Sequence, residues 1–255
     1  MYPIVSITGK AGSGKDTFAT LVAQSYGPDK VKIIAFADPL KDLAQRLFGI
    51  DELLLFGPSE GRMAELDSNK PEFWEKVHAN LNNPLFMVKL QELFNMSDPY
   101  AVALPKAALY NVVKNFRNQY EGAFNRLTVR NALQVLGTSW GRAVDPNLWI
   151  RYAQNRAANL LQNGADLIII TDTRFRSEVL ALKTMGACMV KILSNRNLSL
   201  PRSESEHISE ISQDQVPSFW FDTTIYNNKT QGMKDLMYQM SIFMDKHIYH
   251  AKSNT

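Results

Sequence analysis

The chain has 255 residues, 45% hydrophobic and 21% charged, with a formal net charge of +3. Such a length and apolar content support a sizeable core, built as one α/β unit with room for an inserted subdomain. The charge is too small for a nucleic-acid-binding surface, and no run of five or more like charges occurs. Cys188 is the single cysteine, which excludes an internal disulfide, and no Cys/His cluster has zinc spacing. With no basic segment ahead of Ile4 and no apolar run of membrane-spanning length, the expectation is a cytoplasmic protein in a reducing compartment, without membrane partners.

Residues 4 to 8 read as a buried strand and residues 15 to 26 as a helix. The turn that joins them is Gly9-Lys10-Ala11-Gly12-Ser13-Gly14-Lys15-Asp16-Thr17, which carries the Gly-x4-Gly-Lys spacing of a phosphate-binding loop. Glycines let backbone N–H groups turn toward phosphate oxygens, the helix N-terminus adds a favourable dipole, and Lys15 can reach the β and γ phosphates of a nucleotide. The position after the lysine, where Ser or Thr usually ligates Mg2+, holds Asp16. Thr17 follows it, about 100° round the helix. Asp16 can still hold the metal, directly or through water.

Residues 31 to 36 form a second strand pattern, followed by Asp38-Pro39-Leu40-Lys41. Asp38 before Pro39 reads as a helix N-cap, and equally as a substrate contact beyond the carboxyl end of a strand. Residues 50 to 127 are broken by five prolines and read as an inserted helical subdomain, with Phe73, Trp74, Phe86, Phe94 and Tyr110 as core and His78 as structural or solvated. From Leu127 to Trp140, Val129, Leu133, Leu136 and Trp140 recur at helical spacing. Arg130, Gln134 and Thr138 line a neighbouring face beside Gly137, offering a guanidinium, an amide and a hydroxyl. A helix starting at Trp149 runs to about Gln162, and residues 166 to 171 form the most strand-like run in the chain. It ends in Asp172-Thr173-Arg174, where P-loop proteins place the acid that organises Mg2+. Ser177 reads as the cap of the next helix. Strands at 187 to 193 and 222 to 226 complete the set, with Cys188 buried in the former and a C-terminal helix at about 231 to 247. The polar stretch 194 to 218 reads as a lid.

Taken together, the P-loop with Gly-Lys-Asp-Thr, Ala37 to Lys41, Val129-Arg130 through Gly137-Thr138, Trp149, Asp172-Thr173-Arg174 with Glu178, and His207 to Glu210 resemble the deoxynucleoside monophosphate kinases of large tailed bacteriophages. Asp16 is itself a mark of that family. The resemblance implies a P-loop kinase fold, a five-stranded parallel sheet with helices on both faces. It also implies transfer of the γ-phosphoryl group of ATP to a dNMP with Mg2+, small-molecule partners, action in a host cytoplasm, and room for a homodimer. Carried onto these residues, it implies ATP phosphates held by Gly9, Lys10, Ala11, Gly12, Ser13, Gly14, Lys15, Asp16 and Thr17, with Arg202 from the lid and Asn227 at adenine. Arg130 and Arg174 would hold the dNMP phosphate; Asp172, with Asp16 or Thr17, would serve Mg2+. Asp38, Lys41, Gln134, Gly137, Thr138, Trp149 and Glu178 are candidates for the rest of the acceptor. Two alternatives stand beside this reading: another P-loop small-molecule kinase of the dephospho-coenzyme A or phosphomevalonate type, and a nucleotide-dependent binding module or switch.

Overall fold

Five short apolar runs form the strands of one sheet, and the amphipathic segments around them form helices. The elements in chain order are β1 (Ile4–Thr8), α1 (Lys15–Tyr26), β2 (Val31–Ile34), α2 (Asp38–Phe48), α3 (Glu52–Phe56), α4 (Pro71–Leu81), α5 (Pro84–Phe94) and α6 (Ala103–Tyr120). They continue with α7 (Val129–Gln134), a π-helical stretch (Val135–Arg142), α8 (Leu148–Gln162), β3 (Leu167–Ile170), α9 (Arg176–Thr184), β4 (Cys188–Ser194), β5 (Thr223–Asn227) and α10 (Met233–Phe243). This computed structural model describes residues 3–10, 12–57, 59–95, 102–121, 126–194, 215–228 and 232–249. The expected lid therefore lies outside the described residues between 195 and 214.

The chain forms two compact units, Met1–Phe36 with Ala153–Thr255, and Ala37–Tyr152. In the first, all strands pair in parallel in the order β2-β3-β1-β4-β5, the expected five-stranded sheet. A parallel sheet buries both faces, which is why β1 and β3 are buried at every residue. On one face Val5, Ile7, Ile169, Val190 and Ile192 form a core with Phe18 and Val22 of α1 and Leu236, Met240 and Phe243 of α10. Phe18 and Phe243 meet edge to face with ring centroids 5.5 Å apart. Cys188 belongs to this core, and burial, helped by the charge of Asp222, pushes its thiol up to about 12.

At the open edge of β5 a side chain meets the backbone of Tyr226. Gln239 of α10 accepts from the Tyr226 N–H at 2.8 Å and donates to the Tyr226 carbonyl at 2.6 Å, so its carboxamide stands in for a neighbouring peptide group. Its Nε2 also donates to Asp235 at 2.9 Å, which fixes the amide orientation.

The second unit is helical. Phe48, Phe73, Trp74 and Phe116 form an aromatic cluster, with Trp74 donating its indole N–H to the Ser68 carbonyl at 2.7 Å. Phe86 and Phe94 are buried as expected, whereas Tyr110 is 44% exposed and meets only the edge of His78 among ring contacts of the described residues. Residues 64 and 66 bond to 129 and 127 across an isolated antiparallel bridge, so the polypeptide between them leaves and returns at one point. Asp38 is not an N-cap: it is the first residue of α2, Ala37 holds the cap position with no side-chain bond, and the Asp38 carboxylate lies 3.6 Å from Lys41 Nζ. Among the described residues no helix is long and apolar enough to cross a membrane.

One buried titratable group sets a pH dependence. His247 packs its ring on Phe243 at a centroid distance of 5.3 Å, and its Nε2 has no hydrogen-bond partner among the described residues. Burial, aided by Lys246 and opposed by Asp222, holds its pKa below the ordinary 6.5. The unfolded chain then binds the proton more readily than the native one, so stability is lost as pH falls through the ordinary histidine range. The urea midpoint should drop between about pH 7.5 and 5.5, and His247→Gln should flatten that slope. An identical slope in the variant would remove His247 as its source.

Candidate active site

In the α/β unit, β1 delivers Thr8 to the glycine-rich loop. At Gly9 the backbone has φ 155°, and a Cβ there would lie 2.5 Å from the Ile192 carbonyl oxygen, so the loop lies against β4 at a distance only glycine permits. Gly14 has φ 96° and precedes the first turn of α1; a Cβ there would lie 2.3 Å from Asn227 Nδ2. Lys15 turns back over the loop and donates to the carbonyls of Gly9 at 2.6 Å and Lys10 at 2.9 Å. Asn227 Nδ2 donates to the Ser13 carbonyl at 2.8 Å. Ser13 is 3% exposed, and its Oγ has no hydrogen-bond partner among the described residues. A buried hydroxyl without a partner, in a loop whose carbonyls bond to side chains at the start of a helix, suits an oxyanion. Asp16 and Thr17 are exposed in the first turn of α1, while Ala11 lies outside the described residues.

The tip of β3 is held to the same strand. Thr8 donates its hydroxyl to the Thr173 carbonyl, and the Ser6 and Thr173 hydroxyls are 2.8 Å apart, all three side chains buried. Asp172 Oδ1 accepts from the Phe36 N–H at 2.7 Å, which ties the tip to the end of β2. Glu178, only 2% exposed, accepts with Oε2 from the N–H groups of Arg174 at 2.8 Å and Phe175 at 3.0 Å. It therefore caps α9 from inside its first turn and fixes the Arg174 backbone. The helix begins at Arg176, so Ser177 is inside it and is not the cap. Buried Ser6 and Thr8 in an otherwise apolar strand are the sequence signal for this hydroxyl network, and it drew no functional reading.

In the helical unit, Thr128 caps α7 reciprocally with Asn131, accepting from its N–H at 3.2 Å while Asn131 Oδ1 accepts from the Thr128 N–H at 3.1 Å. Arg130 and Gln134 are half-buried on α7, and Thr138 is exposed on the π-helical stretch that follows. The expected helix over 129 to 140 thus widens from Val135. Trp149 supplies a reason: its indole N–H takes the Gly137 carbonyl at 3.0 Å. Insertion of a side-chain donor and two glycines of low helix propensity favour such a widened turn.

Gly137 and Trp149 both turn out to be packing residues. A Cβ at Gly137 would lie 3.1 Å from Leu40 Cδ2 of α2, and one at Gly141 would lie 2.3 Å from Trp149 Cζ2. Trp149 is 3% exposed, so its ring faces protein. On α2, Lys41 sits 4.9 Å above the Phe56 ring centroid as well as beside Asp38. Lys89 of α5 was not anticipated. It pairs with Asp42 of α2 at 2.6 Å and with Glu92 at 3.4 Å, and although burial works to lower its pKa, the Asp42 hydrogen bond and charge raise it above the ordinary value. This pair holds α5 against the helix that carries Asp38 and Lys41. Arg202 lies outside the described residues.

A family model described as deoxynucleotide monophosphate kinase matches residues 65–239. The chain is 24% identical to the deoxynucleoside-5'-monophosphate kinase of Escherichia phage T5, over 96% of this chain and 97% of that one. It is also 24% identical to the deoxynucleotide monophosphate kinase of Enterobacteria phage T4, over 81% of this chain and 86% of that one.

The two glycines of the π-helical stretch should respond differently to a methyl group. Gly141→Ala drives a carbon into a buried indole and should lower stability by about 1–3 kcal/mol in a urea titration. Gly137→Ala meets only the tip of Leu40 and gains helix propensity, so its change should stay within about 1 kcal/mol. Equal costs would contradict the packing role assigned to Trp149.

Proposed function

This chain belongs to the deoxynucleotide monophosphate kinase family and phosphorylates deoxynucleoside monophosphates, and we propose that it does so by moving the γ-phosphoryl group of ATP to the dNMP phosphate. One acceptor phosphate oxygen bonds to the γ-phosphorus, the bond from that phosphorus to the β-γ bridging oxygen breaks, and dNDP and ADP leave. The acceptor phosphate is already ionised near neutral pH, so no general base is needed and the protein's work is positioning and charge compensation.

The observation that carries this reading is the glycine-rich loop, with the Gly9, Lys10 and Ser13 carbonyls bonded to side chains and the Ser13 hydroxyl buried without a partner. Its amides and Lys15 would receive the β and γ phosphates. Mg2+ would be held by oxygen donors among Asp16, Thr17 and Asp172, together with water and nucleotide oxygens, as this hard cation prefers. When bound it neutralises phosphate charge. Arg174, its backbone fixed by Glu178, and Arg130 would hold the dNMP phosphate. Gln134, Thr138, Asp38 and Lys41 would contact the base and sugar. Gly137 and Trp149 act through packing, by setting the course of the helix that presents Gln134 and Thr138.

Lys15→Ala and Arg174→Ala should each lower turnover by about a hundredfold or more while the protein stays folded. ADP release in a coupled assay measures this, and near-normal rates in either variant would sink the assignment. Gln134→Ala should instead raise the dNMP Michaelis constant by about tenfold at little cost in turnover. A panel of common NMPs and dNMPs with Mg·ATP, read by diphosphate formation, identifies the accepted bases. An unchanged constant across that panel would remove Gln134 from the pocket.

A further inference from the structure

We infer that Asn227 is a positioning residue of the phosphate-binding loop, setting the direction of the Ser13–Gly14 peptide, and is not a contact to adenine. The inference rests on the reading that this loop binds the phosphates of a nucleoside triphosphate.

Asn227 is the last residue of β5 and is 7% exposed. Its Nδ2 donates to the Ser13 carbonyl at 2.8 Å, across 214 positions of sequence. A trans peptide points its C=O and N–H in opposite directions. Holding the Ser13 carbonyl toward Asn227 therefore aims the Gly14 N–H away from it, at the start of α1 where an anion is favoured. A rotated Ser13 peptide would present a carbonyl oxygen in place of that N–H and repel a phosphate.

The fit is mutual. Any side chain at residue 14 would begin 2.3 Å from Asn227 Nδ2, so the asparagine occupies the space that glycine leaves. The other loop carbonyls that side chains capture, Gly9 and Lys10, belong to Lys15, which is a candidate phosphate ligand and would leave them for the nucleotide. Asn227 has no such second duty: at the buried end of a strand it can keep the Ser13 carbonyl whether or not a nucleotide is bound. Turning the bonded N–H toward a base would leave that buried carbonyl without its partner.

The two roles differ in which part of ATP they act on, so the probes are inorganic tripolyphosphate, ATP and adenosine. Titrated calorimetrically, Asn227→Ala and Asn227→Asp should weaken tripolyphosphate and ATP by the same factor, about tenfold. The dNMP Michaelis constant should stay within about twofold of the wild type, since that substrate needs no Gly14 N–H. Weakened ATP with unchanged tripolyphosphate would overturn the inference in favour of an adenine contact, and unchanged binding of both would overturn it outright. The wild-type protein gives a test that needs no variant to fold. Its Asn227 carboxamide NMR signals should move on adding tripolyphosphate and stay on adding adenosine, and the reverse pattern would overturn the inference. If the wild type binds neither ATP nor tripolyphosphate, the phosphate-loop reading itself has failed. If it binds both and the Asn227 variants bind equally well, only the present inference has.

Discussion

A backbone loop can bind an anion only if its carbonyl oxygens are kept out of the way, and in the Gly9–Lys15 loop side chains hold three of them. Lys15 holds the carbonyls of Gly9 and Lys10, and Asn227 holds that of Ser13. Each bond is local to one side of the loop, yet they reach it from different places in the sequence, one from the helix it opens and one from the last strand. The parallel sheet makes the second possible, because it sets the carboxyl ends of its strands along one edge. The same edge carries the Thr8 to Thr173 bond, so the strand that feeds the loop also fixes the tip bearing Asp172 and Arg174.

The helical unit uses the same strategy with larger groups. Trp149 packs against Gly141, its indole N–H reaches the Gly137 carbonyl, and the widened turn there carries Thr138. Lys89 and Asp42 then join α5 to α2 with a partly buried ion pair. Such a pair adds little net stability, because removing two charges from water costs about as much as their attraction returns. Its effect is to restrict how α2 can sit, and α2 is where Asp38 and Lys41 are.

What could be read from the chain was what depends on short-range pattern. The inner strands are apolar runs, and the turn between β1 and α1 is a spacing of two glycines and a lysine, so both elements were legible in the sequence. Roles that depend on a distant partner were not. Nothing near Asn227 announces Ser13, and Glu178 looks like a candidate ligand until its carboxylate is seen on two amides of its own turn. Trp149 read as a candidate acceptor contact because an indole suits a base as well as a core, and burial bears on which. Asp38 read as a cap because Asp before Pro usually is one, but here the helix starts one residue earlier than that pattern implies.

β5 is the last strand to be made, and its final two residues do different jobs. The Tyr226 N–H and carbonyl are met by Gln239 of α10, the carbonyl also accepting from the Asn228 N–H. Asn227, next to it, reaches back to a loop finished more than two hundred residues earlier. During synthesis from the N-terminus, the phosphate loop is therefore complete in sequence long before it is complete in shape, and an emerging chain carries an unsealed sheet edge over the same interval. Covering Tyr226 and bracing the loop are consecutive steps on one strand, so the brace on the loop arrives together with some protection from edge-to-edge association.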